Sequence, residues 1–181
     1  MWDIALLMSA AFVAGALNAV AGGGSFLTLP ALVFTGVPPV AANATGTVAL
    51  LPGYMAGAWG FRQDMEPPPG LGMRGVIVLS LIGGSLGAAL LLALFGLLGQ
   101  TRLHAMNGMK NLVSALLTAI AVAIYAAGGV VQWEQALVMM IAATAGGYGG
   151  ARLARRIPPE WLRAGIVLTG LVMAGVFFWR Q

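Results

Sequence analysis

Apolar residues run along this chain in long stretches, and its polar positions cluster between them. The long runs are Ile4 to Ala21, Val40 to Phe61, Gly75 to Leu98, Leu112 to Gly128, Gln135 to Ala151 and Trp161 to Trp179, with a shorter one from Phe26 to Gly36. A helix needs about 20 apolar residues to cross the hydrocarbon core, so the six long runs predict transmembrane helices. The shorter run, about 17 Å long as a helix, cannot cross alone and predicts a re-entrant segment or one half of a broken span. The predicted fold class is all-α: a polytopic membrane protein of about six transmembrane helices plus one half-helix, in a single transmembrane domain over residues 1–181.

The most informative interruption is Asn18-Ala19-Val20-Ala21-Gly22-Gly23-Gly24-Ser25, followed by the apolar stretch Phe26 to Phe34 with Pro30 inside it. A helix that breaks in mid-bilayer leaves backbone N–H and C=O groups that lipid cannot satisfy. Such breaks survive only where protein or a water-filled cavity supplies partners. A helix restarting after the glycines would aim its free N–H groups and positive dipole end at the break, a disposition that suits an anion. Pro38-Pro39 closes the short segment, and Pro67-Pro68-Pro69-Gly70 stiffens the turn after Phe61, because proline neither donates a backbone hydrogen bond nor continues a helix.

Composition sharpens the class. Of 181 residues, 60% are hydrophobic and 8% charged, with a mean hydropathy of +0.92, against about 25% charged residues in soluble domains. No room is left for a soluble domain. The first run has no basic stretch before it and no convincing peptidase site after it, so it reads as a retained span and not a cleaved leader. Cysteine is absent and His104 is the single histidine, which excludes disulfides, thiolate metal sites, cysteine nucleophiles and a multi-histidine centre within one chain. No metal or other cofactor is expected.

The formal charge of +4 does not point to nucleic acid, because the basic residues fall in short turns where the positive-inside rule accounts for them. If every run from Val40 onward crosses once, Arg102, Lys110, Arg152, Arg155, Arg156 and Arg163 share one side, and Arg62, Arg74 and Arg180 the other. The first side is then cytoplasmic and the C-terminus outside. A weak internal repeat divides the chain into residues 1–98 and 99–181: Gly83-Gly84-Ser85-Leu86-Gly87 echoes Gly146-Gly147-Tyr148-Gly149-Gly150, each downstream of an asparagine-bearing helix start. Many secondary transporters are built from such repeats, with the site at the repeat interface.

Several motifs carry a family resemblance. Ala21-Gly22-Gly23-Gly24-Ser25-Phe26-Leu27-Thr28-Leu29-Pro30, Gly36-Val37-Pro38-Pro39 and Ala41-Ala42-Asn43-Ala44-Thr45 resemble the first-repeat signature of the TauE/SafE sulfite exporters, a family of bacterial anion permeases. Met106-Asn107-Gly108-Met109-Lys110-Asn111, Gly129-Val130-Val131-Gln132-Trp133 and the run from Gly146 to Pro158 are similar to its second-repeat features. The resemblance implies an anion permease of the bacterial inner membrane, most plausibly for sulfite or a related organosulfur anion, working by alternating access. Family members usually carry a second glycine-rich broken segment near the position of Leu92 to Leu97, where this chain runs on as Leu90 to Leu98. The second repeat is thus expected to be incomplete, which leaves open a homodimer that completes the site and a non-transporting membrane subunit or scaffold derived from such a permease.

The candidate anion-binding residues are Asn18, Gly22, Gly23, Gly24, Ser25, Asn43, Thr45, Thr47, Asn107, Lys110 and Asn111. Each also has a plainer reading. The glycines can serve close helix packing, Asn18 an interhelical hydrogen bond, and Asn43 an N-cap. Lys110, the only lysine, either draws the anion in beside Asn107 and Asn111 or snorkels to the interface from the mouth of its helix. Arg152, Arg155, Arg156 and Arg163 read as topology anchors, and the tryptophans at span ends as an interfacial belt. No carboxylate falls in a span, so an intramembrane enzyme is disfavoured and an acid relay has no carrier.

Overall fold

The computed structural model describes residues 2–65 and 103–156, together with residues 72, 74, 75, 78 and 158. All regular structure among the described residues is helical: α1 (Trp2–Val20), α2 (Ser25–Phe34), α3 (Pro39–Gly60), α4 (Leu103–Ala127) and α5 (Trp133–Ala154). The expected spans Gly75 to Leu98 and Trp161 to Trp179 fall, apart from residues 75 and 78, outside the described residues, as do Gly83, Gly84 and Gly87. Two described stretches, Trp2–Val20 and Ala105–Ala127, are long and apolar enough to cross a membrane. At 22 residues each, α3 and α5 have the length, about 33 Å, but glycine, threonine and asparagine dilute their apolar content.

Small residues bring the helices together. A side chain on Gly15 would strike the Ala143 carbonyl, one on Gly146 the Phe12 carbonyl, one on Gly147 the Gly53 carbonyl, and one on Gly150 would come within 2.6 Å of the Ala16 backbone. Backbone against backbone is the packing that membrane helices achieve through glycine and alanine. The large apolar side chains point outward instead: Ile4, Phe12 and Val13 on α1, Ile120 and Ile124 on α4, Leu137 and Ile141 on α5 are exposed. Trp2 and Trp133 stand exposed at one end of the bundle and Trp59 near the other.

Contacts set the helix directions. Thr45 meets Gln132, Gly53 meets Gly147 and Gly60 meets Ala151, so α3 and α5 run parallel. Phe12 and Ala16 against Gly146 and Gly150 align α1 with them. Gly57 lies against Asn111, Gly108 against Phe61 and Met65, and Val122 and Tyr125 against Ala44 and Val48, so α4 runs the other way. The short α2 folds back beside α1: Gly24 packs on Ala14 and Asn18, while Thr28 and Leu32 reach Gly46. This half-length segment turns back between two parallel helices instead of continuing the line of α1.

Two expectations are corrected by this arrangement. Helix α4 begins at Leu103 and not Leu112, because Met106, Met109, Val113 and Leu117 pack with Met65 and that apolar contact carries the helix back through the polar residues. Lys110 is therefore about two turns inside a helix, not in a turn at its mouth. Strict alternation of spans also fails, since the end of α3, the start of α4 and the end of α5 lie together. Arg155 at the end of α5 pairs with Asp64 at 3.0 Å and donates to the Gln63 side chain at 3.0 Å. Arg62 therefore shares an end with Arg152, Arg155 and Arg156, whereas the described charges at the opposite end are Asp3 and Glu134.

Candidate functional site

The glycine break is built by local chemistry. Gly22 and Gly23 have φ of 94° and 84°, a left-handed conformation that side chains with a Cβ rarely adopt, and two in succession stop α1 at once. Gly24 then starts α2, and a Cβ there would lie 2.6 Å from both the Ala14 carbonyl and the Asn18 carboxamide. Beside Gly22, by contrast, there is nothing within 4 Å of where a Cβ would stand. The break is thus tightly seated on one side and open on the other. The last turn of α1 before it packs against α3, the Ala19 methyl lying 3.3 Å from where a Cβ on Gly57 would stand.

Asn18 is buried, 1% exposed, and its Oδ1 accepts the Gly24 N–H at 2.7 Å. It caps the restarting helix from one turn before the break, so one of the N–H groups expected to face an anion is already taken. Phe26 and Leu27 donate to the Gly23 and Gly24 carbonyls, which leaves the N–H groups of Gly23 and Ser25 without a partner among the described residues. Both of these residues are exposed and Gly22 is half-buried. Tyr54 of α3 sets its hydroxyl beside the Asn18 carboxamide.

From the other side α4 contributes Asn107, Lys110 and Asn111, which share one helical face by their spacing and are all buried, at 3%, 3% and 0% exposed. Asn111 Nδ2 donates to the Ala19 carbonyl at 2.9 Å, joining α4 to the last turn of α1 next to Asn18. Gly57 admits this amide, since a Cβ there would sit 3.1 Å from Nδ2. Both carboxamide orientations follow from their partners: an N–H can face only an oxygen, and a carbonyl only a donor. Asn107 Nδ2, Lys110 Nζ and Asn111 Oδ1 remain buried with no hydrogen-bond partner among the described residues, while Asn18 Nδ2 has the Tyr54 hydroxyl beside it. Buried polar atoms are ordinarily satisfied, and an unpaired ammonium within a bilayer is costly. On α4 two such donors stand against one acceptor, so this face can stabilise negative charge.

Asn43, Thr45 and Thr47 are not brought to this cluster. They lie near the start of α3, at the end of the bundle opposite the break. Asn43 is exposed and its carbonyl accepts from Thr47 Oγ1 at 2.8 Å, while buried Thr45 accepts the Gln132 N–H at 3.0 Å and fixes the start of α5. Tyr54 and Gly57 escaped the sequence reading, although Gly53, Gly57 and Gly60 at helical spacing were a visible sign that something approaches α3 closely.

Two overlapping stretches of the chain, residues 7–96 and 65–177, match the family model described as Sulfite exporter TauE/SafE. The chain belongs to the TauE/SafE sulfite exporter family. Among curated proteins it is similar, over 53 residues at 40% identity, to a probable membrane transporter protein of Haemophilus influenzae, covering 29% of this chain and 21% of that one. Over 37 residues it is 46% identical to probable membrane transporter protein ORF9 of a Sinorhizobium species, covering 20% of this chain and 14% of the relative. These matches span a minor part of either relative. No solved structure matches the chain. Membership of the TauE/SafE family agrees with an all-helical membrane protein whose bulky apolar side chains face outward.

Proposed function

We propose that this chain is a secondary transporter that moves a small anion, sulfite or a related organosulfur anion, across the bacterial inner membrane by alternating access. The observation that carries the reading is the buried polar face of α4, where Asn107 Nδ2 and Lys110 Nζ have no partner among the described residues and Asn111 reaches the Ala19 carbonyl just before the glycine break. An anion entering there would accept from these donors, and the exposed N–H groups of Gly23 and Ser25 would meet it on the way. A single ammonium among neutral amides suits release, because a second full charge at low dielectric would hold the ion too tightly.

The two halves, residues 1–98 and 99–181, are read as a first repeat and an incomplete second one, which a homodimer could complete. The test is flux in proteoliposomes made from the purified protein: saturable sulfite efflux above that of empty vesicles is expected. No flux of any anion would favour a scaffold derived from a permease instead.

By the positive-inside rule, the end bearing Arg62, Arg152, Arg155 and Arg156 is cytoplasmic and the start of α1 faces outward. A cysteine introduced at Val130, in the turn between α4 and α5, is expected to react with a membrane-impermeant maleimide from the periplasmic side of intact cells. Labelling only after lysis would reverse the orientation.

A further inference from the structure

Away from the polar cluster, α3 and α5 form a groove on the outer face of the bundle, about 860 Å³ in volume and lined by Pro52, Met55, Trp59, Ile141, Thr144 and Tyr148 among others. That volume falls within the ~300–1,000 Å³ range of small-molecule sites. None of the candidate anion-binding residues lines it. The Thr144 hydroxyl is satisfied internally, donating to the Met140 carbonyl at 2.6 Å, so apart from the polar tips of Tyr148 and Trp59 the lining is hydrocarbon. Met55, Trp59 and Ile141 are 59%, 63% and 71% exposed, which suits contact with lipid.

The parallel course of α3 and α5 brings two cations to one end of this groove. The Arg62 guanidinium stacks 4.7 Å from the centre of the Trp59 ring and donates to the Trp59 carbonyl at 3.0 Å. The Arg152 guanidinium stands 5.2 Å from the centre of the Tyr148 ring. Both arginines are exposed and neither forms an ion pair among the described residues, the nearby Asp64 being engaged by Arg155. Stacking holds each guanidinium beside an aromatic ring of the groove lining; Arg62 spends one N–H on the Trp59 carbonyl, and the remaining donors of a planar guanidinium match phosphate geometry.

We propose that this groove binds an anionic phospholipid, one acyl chain lying along Met55, Ile141 and Trp59 and the headgroup phosphate held between Arg62 and Arg152. Pro52 to Trp59 spans about 10 Å of helix, enough to hold the upper part of one chain. The charge pair sits at the end that the positive-inside rule places at the cytoplasmic leaflet, where anionic lipids attract basic residues.

The test is native mass spectrometry of the purified full chain titrated with phosphatidylglycerol or phosphatidylcholine of identical acyl chains. The wild type is expected to retain phosphatidylglycerol about ten- to thirtyfold more tightly, from two phosphate-facing arginines near the membrane surface. Combined Arg62→Gln and Arg152→Gln should erase that preference, weakening phosphatidylglycerol much more than phosphatidylcholine, whose choline already offsets its phosphate charge. Ala145→Trp, which fills the groove, should weaken both lipids. Equal retention of the two lipids by the wild type would overturn the proposal. So would a dimer in detergent that Ala145→Trp converts to monomer, since a second copy would then occupy the groove. Neither readout depends on transport, so the site can stand or fall apart from the anion flux.

Discussion

Lys110→Met is expected to abolish anion flux in proteoliposomes while making the protein harder to unfold. The wild-type ammonium is buried with no partner among the described residues, so replacing it with an apolar side chain of similar length removes a desolvated charge from the interior. An ammonium and an anion about 4 Å apart at an effective dielectric near 20 attract by about 4 kcal/mol, and each ~1.4 kcal/mol is a factor of ten. A fall in flux of at least ~100-fold is therefore expected. The apparent melting temperature in detergent should rise or hold. The opposite signs separate an anion-binding role from a packing role: a merely structural lysine would lose stability and flux together. Unchanged flux in Lys110→Met would remove the cluster from the mechanism.

Gly146→Ala is expected to destabilise the bundle, and Gly149→Ala on the same helix is not. A methyl group at Gly146 would collide with the carbonyl of Phe12, which as backbone in α1 cannot swing aside, whereas at Gly149 nothing lies within 4 Å. Overpacking of this kind costs about 1–3 kcal/mol, and helix propensity returns up to about 1 kcal/mol for either substitution. At about 2–4 °C per kcal/mol for a chain of this size, Gly146→Ala should lower the melting temperature by several degrees and Gly149→Ala should leave it level or raise it. Equal effects at the two positions would mean that α1 and α5 do not meet as described.

Of the candidate site, the break was legible because its cause is local. Three glycines in a row cannot hold a membrane helix, and an asparagine one turn earlier can reach back to the new N-terminus, whatever the rest of the chain does. The α4 residues were legible as a group, since Asn107, Lys110 and Asn111 are polar in a polar-poor protein, but their depth was not. Their burial follows from where α4 starts, which depends on Met65, some 40 residues away in sequence, packing with Met106 and Met109. Asn43, Thr45 and Thr47 follow the glycine break closely in sequence, yet α2 and the turn after it carry them to the other end of the bundle.

The chain by itself determined that this is a helical membrane protein, where its first helix breaks and which few polar side chains can act inside it. These depend on composition and on conformational preferences confined to a few residues. Only the tertiary structure decided that α1, α3 and α5 run parallel, that the arginines at the ends of α3 and α5 share one end, and that Asn111 reaches the last turn of α1 at Ala19. Those facts rest on contacts between residues as far apart in sequence as Phe12 and Gly146, which helix periodicity does not encode because it describes one face of one helix at a time.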